Sequence, residues 1–170
     1  MCGETAVEHC LRVGKRAREL AGVHLDADHL VEIEVAGLLH DVLEDGANWD
    51  DAEELTALRQ EVEHEFGVAV LALVEAVTVD QRLGHAQQFE GMTQRVARWD
   101  IASCLVKQAD IEDNARTRYV YPRTYRDAWE AYAEAMLRTH LPARLRALGW
   151  CGELPPAHLP PCLDPGQGAP

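Results

Sequence analysis

The chain has 170 residues, with 16 lysines and arginines against 29 aspartates and glutamates, a formal net charge of −13. That length fits one domain with a real hydrophobic core, and the acidity argues against a nucleic-acid backbone or an anionic membrane as partner. An anionic small molecule stays admissible, because a metal ion and a few local basic groups reverse the field inside a cleft.

The first predicted helix covers residues 5–20. Ala6, Cys10, Val13 and Ala17 recur at helical spacing and Leu20 follows, whereas Arg12, Lys15, Arg16 and Arg18 lie mostly off that line. Thr5, with Glu8 three residues on, has the form of a capping box, and Gly22 supplies a stop. His9 stands near the start of this helix. A second helix begins at Asp26 or Asp28, both competent N-caps. It turns Val31, Val35, Leu38, Leu39 and Val42 inward and runs to Gly46. Gly37 costs about 1 kcal/mol relative to alanine inside a helix; close approach of a neighbouring helix would account for it.

The end of that helix carries His40-Asp41-Val42-Leu43-Glu44-Asp45, an imidazole and three carboxylates in six residues. On a continuous helix Glu44 lies one turn after His40, and Asp45 one turn after Asp41, so all four share one side. A neutral imidazole beside a carboxylate is half of a divalent-metal site. The second carboxylate pair stands where a water-activating base is needed. A bare His-Asp pair is common, and acidic residues near a helix end are usually just solvated. The extended pattern after an apolar run is what points to a hydrolase.

Residues 46–51 connect to a third helix over 51–65, which Phe66-Gly67 breaks. Residues 68–77 are nearly all apolar, and their alanine and leucine content favours a buried helix over a strand. A polar loop spans 78–84 and an amphipathic helix 85–97. Asp100 caps the next helix, in which Lys107, Asp110, Asn114 and Thr117 form one polar stripe. A cation, a carboxylate, an amide and a hydroxyl in line suit a metal–phosphate site; the plainer alternative is a solvated face. After Pro122, a helix over 125–140 puts Trp129, Tyr132, Ala133 and Met136 at core spacing, and Pro142 opens one more short helix to Leu148. Residues 1–150 are therefore expected to form one all-α bundle of about seven to eight helices. Residues 151–170 hold six of the eight prolines and are expected to be a disordered tail.

The five cysteines, Cys2, Cys10, Cys104, Cys151 and Cys162, form no Cys-x-x-Cys pair and read as reduced thiols. No apolar run reaches membrane-spanning length, and the N-terminus lacks the basic and apolar regions of a signal peptide. The expectation is a cytoplasmic protein.

Taken together, these stretches resemble the HD-domain metal phosphohydrolases, and within them the alarmone (p)ppGpp hydrolases. Leu38-Leu39-His40-Asp41-Val42-Leu43-Glu44-Asp45 resembles their Leu-Leu-His-Asp-x-x-Glu-Asp signature. Residues 106–117, with Lys107, Asp110, Asn114, Arg116 and Thr117, resemble their Val-Lys-Leu-Ala-Asp-x-x-x-Asn-x-Arg-Thr helix. Phe66-Gly67 and Val77-Thr78 match the phenylalanine-glycine and valine-threonine landmarks between them. The resemblance covers about residues 6 to 120.

It implies that His9, His40, Asp41 and Asp110 hold a divalent metal, usually manganese in that family, and that Glu44 and Asp45 are the catalytic acidic pair. Lys107, Asn114 and Arg116, with Arg82 or Arg118 as helpers, would bind an anionic nucleotide, and the product would be pyrophosphate from a 3′ position. The compared hydrolases carry a longer segment before the first histidine and usually a proline after it. Here eight residues precede His9 and Cys10 follows, so a guanine-binding side that is partly missing or rebuilt is expected, with His24 and His29 as alternative ligands. Gln81-Arg82 replaces the family's lysine after the valine-threonine landmark. Two other readings stand beside this one: a different HD nucleotidase, and a catalytically silent HD domain that binds a nucleotide or a protein.

Overall fold

The structure, a computed structural model, describes residues 5–156 and 159. Among these residues there is no strand, and six long helical elements carry the fold. They are α1 (Ala6–Ala21), α2 (Ala27–Leu38), α3 (Ala52–Val77), α4 (His85–Arg95), α5 (Ile101–Thr117) and α6 (Arg123–Ala135). The last passes through a π-helical turn, Met136–His140, into Leu141–Ala147. Pro142 follows directly on the π-turn, in the first turn of that final stretch. α3 changes direction at Gly67 (φ 88°, ψ 161°), so Phe66-Gly67 separates two helical stretches and residues 68–77 are helix. The described residues thus hold six long helices, not the expected seven to eight, because stretches read as separate helices run on through these joints. No helix among the described residues is long and apolar enough to cross a membrane.

Side-chain caps start the elements. The Thr5–Glu8 capping box opens α1, and Asp26, Asp51 and Asp100 accept hydrogen bonds from the first-turn amides of α2, α3 and α5. α5 runs through the middle of the molecule, with Cys104, Leu105, Val106, Ala109, Ile111 and Ala115 all buried. Such a helix can afford polar groups only where they are paired, and that restricts what its Lys107–Thr117 stripe can be.

α1 packs against α2 and α5. At the crossing of α1 and α2 two glycines touch: a Cβ on Gly37 would lie 2.7 Å from the Gly14 Cα. This is the close approach that Gly37 suggested. It also turns α2 so that Ile33 and Ala36 are buried while Val31, expected inward, is exposed.

One departure from expectation positions the site. α2 does not continue to Gly46; it ends at Leu38, and a separate single turn, Val42–Asp45, follows. The cause is local. His40 Nδ1 donates to the Gly37 carbonyl at 2.8 Å, an acceptor that a continuing helix would give to the Asp41 amide. The chain tightens instead, with Val42 N donating to the Leu39 carbonyl at 2.9 Å.

At the other end, Trp150 Nε1 donates to the Glu153 carbonyl, Arg16 pairs with Glu153 at 2.8 Å, and Pro155 is buried. Residues 151–156 are thus seated against α1. The rest of the expected tail lies outside the described residues, apart from Leu159.

Candidate active site

α1, the α2 break and α5 bring four side chains together. His9 Nε2 lies 3.2 Å from His40 Nε2. Asp41 Oδ1 is 3.1 Å from His40 Nε2, and Asp110 Oδ1 is 3.6 Å from both histidine Nε2 atoms. His9, His40 and Asp41 each offer a ligand atom within 4.8 Å of the others. The alternatives to His9 are elsewhere: His29 is exposed and bonded to Asp26, and His24 packs edge-on against Trp150.

Each imidazole is held in one tautomer. The Gly37 carbonyl can only accept, so His40 Nδ1 carries the proton and its Nε2 the lone pair. His9 Nδ1 meets the Asp113 carboxylate at 2.8 Å, with the same consequence. Two neutral rings would then aim lone pairs at each other across 3.2 Å, which only a proton or a cation between them reconciles. Burial by itself lowers the His40 pKa, but the Asp110 and Asp41 carboxylates hold it well above the ordinary histidine value. The two imidazoles and the Asp41 carboxylate could hold a divalent metal, and Asp110 Oδ1 stands beside that group.

Asp41, Asp110 and Glu44 line one cavity of about 190 Å³. Val79 N and Gln81 Nε2 donate to the two Glu44 oxygens, each at 2.8 Å. Burial pushes the Glu44 carboxyl up to about 7; Lys107 and the Val79 amide oppose that rise, and Asp41 and Asp110 add to it. Asp45 is exposed and does not line this cavity, although burial and Asp41 raise its pKa too.

Lys107 and Asn114 also line the cavity, and both are tied to Asp110: Lys107 Nζ donates to Oδ2 at 2.6 Å and Asn114 Nδ2 to Oδ1 at 2.5 Å. The stripe on α5 is therefore a hydrogen-bonded chain, not a solvated face, and Tyr121 OH extends it by donating to Asn114 Oδ1 at 3.2 Å. Arg82 and Arg116 are not brought in. Arg82 forks onto Asp80 and lies over the Trp49 ring, while Arg116 lines a separate groove between α1 and α5.

Two groups of residues were not singled out by sequence reasoning. Phe89, Tyr121, Tyr125, Trp129 and Tyr132 wall the cavity, half of the ten aromatic residues of the chain; Trp129 and Tyr132 thus both pack the core and face the site. Asp113 and Arg12 lie behind His9, and helical spacing was the signal: Asp113 is three residues after Asp110, and Arg12 three after His9.

None of the curated proteins compared with the sequence matches it. Among the solved structures similar to this chain is one with a TM-score of 0.61 at 25% identity, covering 84% of this chain and 78% of the other. It is described as a metazoan ortholog of SpoT that hydrolyzes ppGpp and plays a role in starvation responses. The model of the HD domain family matches residues 6–115, a span that holds the His40-Asp41 doublet, His9 and Asp110, and the chain belongs to that family.

Proposed function

We propose that this protein is a manganese-dependent phosphohydrolase that removes pyrophosphate from the 3′ position of guanosine tetra- or pentaphosphate. The observation that carries the reading is the shared cavity: Asp41, which belongs to the His-His-Asp group, and Asp110 beside it face the same space as Glu44, whose pKa burial pushes up to about 7. The likeness to a ppGpp-hydrolysing structure supports the substrate.

His9, His40, Asp41 and Asp110 hold the ion, which when bound acidifies water and offsets phosphoryl charge. Glu44, fixed by Val79 and Gln81, takes a proton from the attacking water. Asp45 assists through its negative charge beside Asp41. Lys107 stabilises charge on the leaving group, and Asn114 orients the substrate where the cavity meets a second one of about 190 Å³ lined by His9, Asn114, Thr117 and Val120. That second space suits the nucleoside. Arg82 and Arg116 act from outside as charges that attract the anion. Cys10, Cys104 and Cys151 are free thiols, in keeping with a cytoplasmic setting.

The ring-walled, small cavity favours one alternative, an HD nucleotidase acting on a less charged phosphoester. A manganese-supplemented assay on ppGpp beside a nucleotide panel, with Asp41→Asn as control, decides. Pyrophosphate from ppGpp, lost in the variant, is expected. Orthophosphate from a monophosphate instead would overturn the substrate, and no turnover at all would favour a silent binding domain.

A further inference from the structure

α1 and α5 each present two polar residues spaced by three. His9 and Arg12 come from α1; Asp110 and Asp113 come from α5. The four interlock. Asp113 Oδ2 meets His9 Nδ1 at 2.8 Å and accepts from Arg12 at 2.8 Å, while Asp113 Oδ1 accepts from Arg12 Nε at 2.7 Å. The Arg12 guanidinium thus grips the carboxylate with a two-pronged fork, a geometry that fixes the plane of the acceptor as well as its position. The Asp113 side chain is only 6% exposed, so its charge is out of water and depends on its partners: His9 and Arg12 in direct contact, with Arg116 Nη1 farther off at 3.9 Å from Oδ1.

The arrangement acts on one atom. A carboxylate on Nδ1 forces the proton of neutral His9 onto that nitrogen, which leaves Nε2 bare on the side facing His40 and Asp110. His40 needs no such helper, because the Gly37 carbonyl of its own chain segment performs the task. His9 sits in the first turns of α1, and among the described residues its ring nitrogens meet side chains, not a backbone carbonyl. Its orientation has to be supplied across the helix interface.

We propose that Asp113, locked by Arg12, is the positioning residue of the metal centre: it sets the tautomer and ring plane of His9 and thereby the affinity of the site for its ion. The proposal rests on the metal-centre reading above. Asp113 touches neither substrate nor ion; Arg12 also lines the second cavity, so its variant is read on manganese affinity and His9 tautomer, not on turnover.

The test is manganese affinity by calorimetry on the purified full chain, with the His9 tautomer read from ring ¹⁵N shifts in the metal-free protein. Asp113→Ala is expected to weaken manganese binding by about 10- to 100-fold, the usual effect of losing the outer partner of a ligating histidine. Asp113→Asn keeps an acceptor for Nδ1–H and is expected to recover part of that loss. Arg12→Ala should fall between wild type and Asp113→Ala, and the share of His9 protonated on Nδ1 should follow the same order. Unchanged affinity in Asp113→Ala and Arg12→Ala, with the fold intact by circular dichroism, would overturn the proposal while leaving the metal centre standing. His40→Ala separates the two readings. If it binds manganese as tightly as wild type, the metal centre itself is misassigned and the proposal falls with it.

Discussion

Gly14 and Gly37 touch where α1 crosses α2, with room for no Cβ on either: one on Gly14 would lie 2.7 Å from the Glu34 carbonyl oxygen, one on Gly37 2.7 Å from the Gly14 Cα. His9 precedes the contact by five residues and His40 follows it by three, so the approach of the two backbones sets the distance between the two imidazoles. Gly37→Ala must push the helices apart, because backbone and not a flexible side chain receives the new methyl. The expected cost is about 1–3 kcal/mol of stability, as for overpacking elsewhere, with weaker manganese binding. Urea denaturation and calorimetry measure both. A stability equal to wild type with unchanged affinity would mean the contact does not set the site.

Glu44 leads to a prediction in pH. Its carboxyl is pushed up to about 7, by burial first, against the lowering effect of Lys107 and the Val79 amide. As the base it must be ionised, so kcat/KM should rise with pH up to a limb at or below about 7, the bound cation drawing the value down. Gln81→Leu removes a donor to Glu44 Oε2 and should move the limb to higher pH. Glu44→Gln should lower turnover by about 100- to 10,000-fold, the range for losing a general base. A pH–rate profile that does not respond to Gln81→Leu would place the ionisation on another group.

How far these sites were legible in the chain depends on spacing. His40, Asp41 and Glu44 are close in sequence, and Lys107, Asp110 and Asn114 fall on one helical stripe, so a 3.6-residue period was enough to group each set. The all-α architecture followed from the same periodicity and from caps such as Thr5 and Asp100. The break after Leu38 was not legible, because it depends on a side chain, His40, taking the Gly37 carbonyl from its own helix. Nor was the fate of Arg82 and Arg116, whose types suit a phosphate but which Asp80 and Asp113 claim or draw elsewhere. Periodicity marks a face of a helix; it does not tell which neighbour arrives at that face. Trp129 and Tyr132 show the same limit, since core spacing and cavity lining are one pattern when a cavity lies inside the core.

Lys107 and Asp110 form a buried ion pair at 2.6 Å, with side chains 12% and 7% exposed. Burial opposes both charges, and each holds the other ionised: the Lys107 pKa is raised and the Asp110 carboxyl lies far below its usual range. Removing one partner strands the other, so Lys107→Met should destabilise the metal-free protein by roughly 3–5 kcal/mol. Lys107→Met combined with Asp110→Asn should recover part of that loss, because no net charge then stays buried. Chemical denaturation of the four proteins in a double-mutant cycle measures the coupling. A coupling near zero would show that the pair is solvated in solution and not buried.

Metal removal should expose the titration of His40. With chelator present, the carboxylates of Asp110 and Asp41 outweigh burial and raise its pKa well above 6.5, so the folded state binds this proton more tightly than the unfolded chain. The resulting stabilisation is complete below 6.5 and is lost as pH rises through the folded value. Glu44 has the same sign over a lower window, from its ordinary 4.5 to about 7, so a decline that continues above that window belongs to the imidazole. The chelated protein should therefore melt at lower temperature as pH is raised from 7 upward. Manganese-saturated protein should not, because the ion occupies the Nε2 lone pair and competes with protons only at acidic pH. Thermal melts across pH, with and without manganese, measure the two slopes, and His40→Asn should flatten the chelated one. A chelated slope that is already flat in the wild-type protein would mean that His40 stays neutral without the metal and that the two imidazoles do not share a proton.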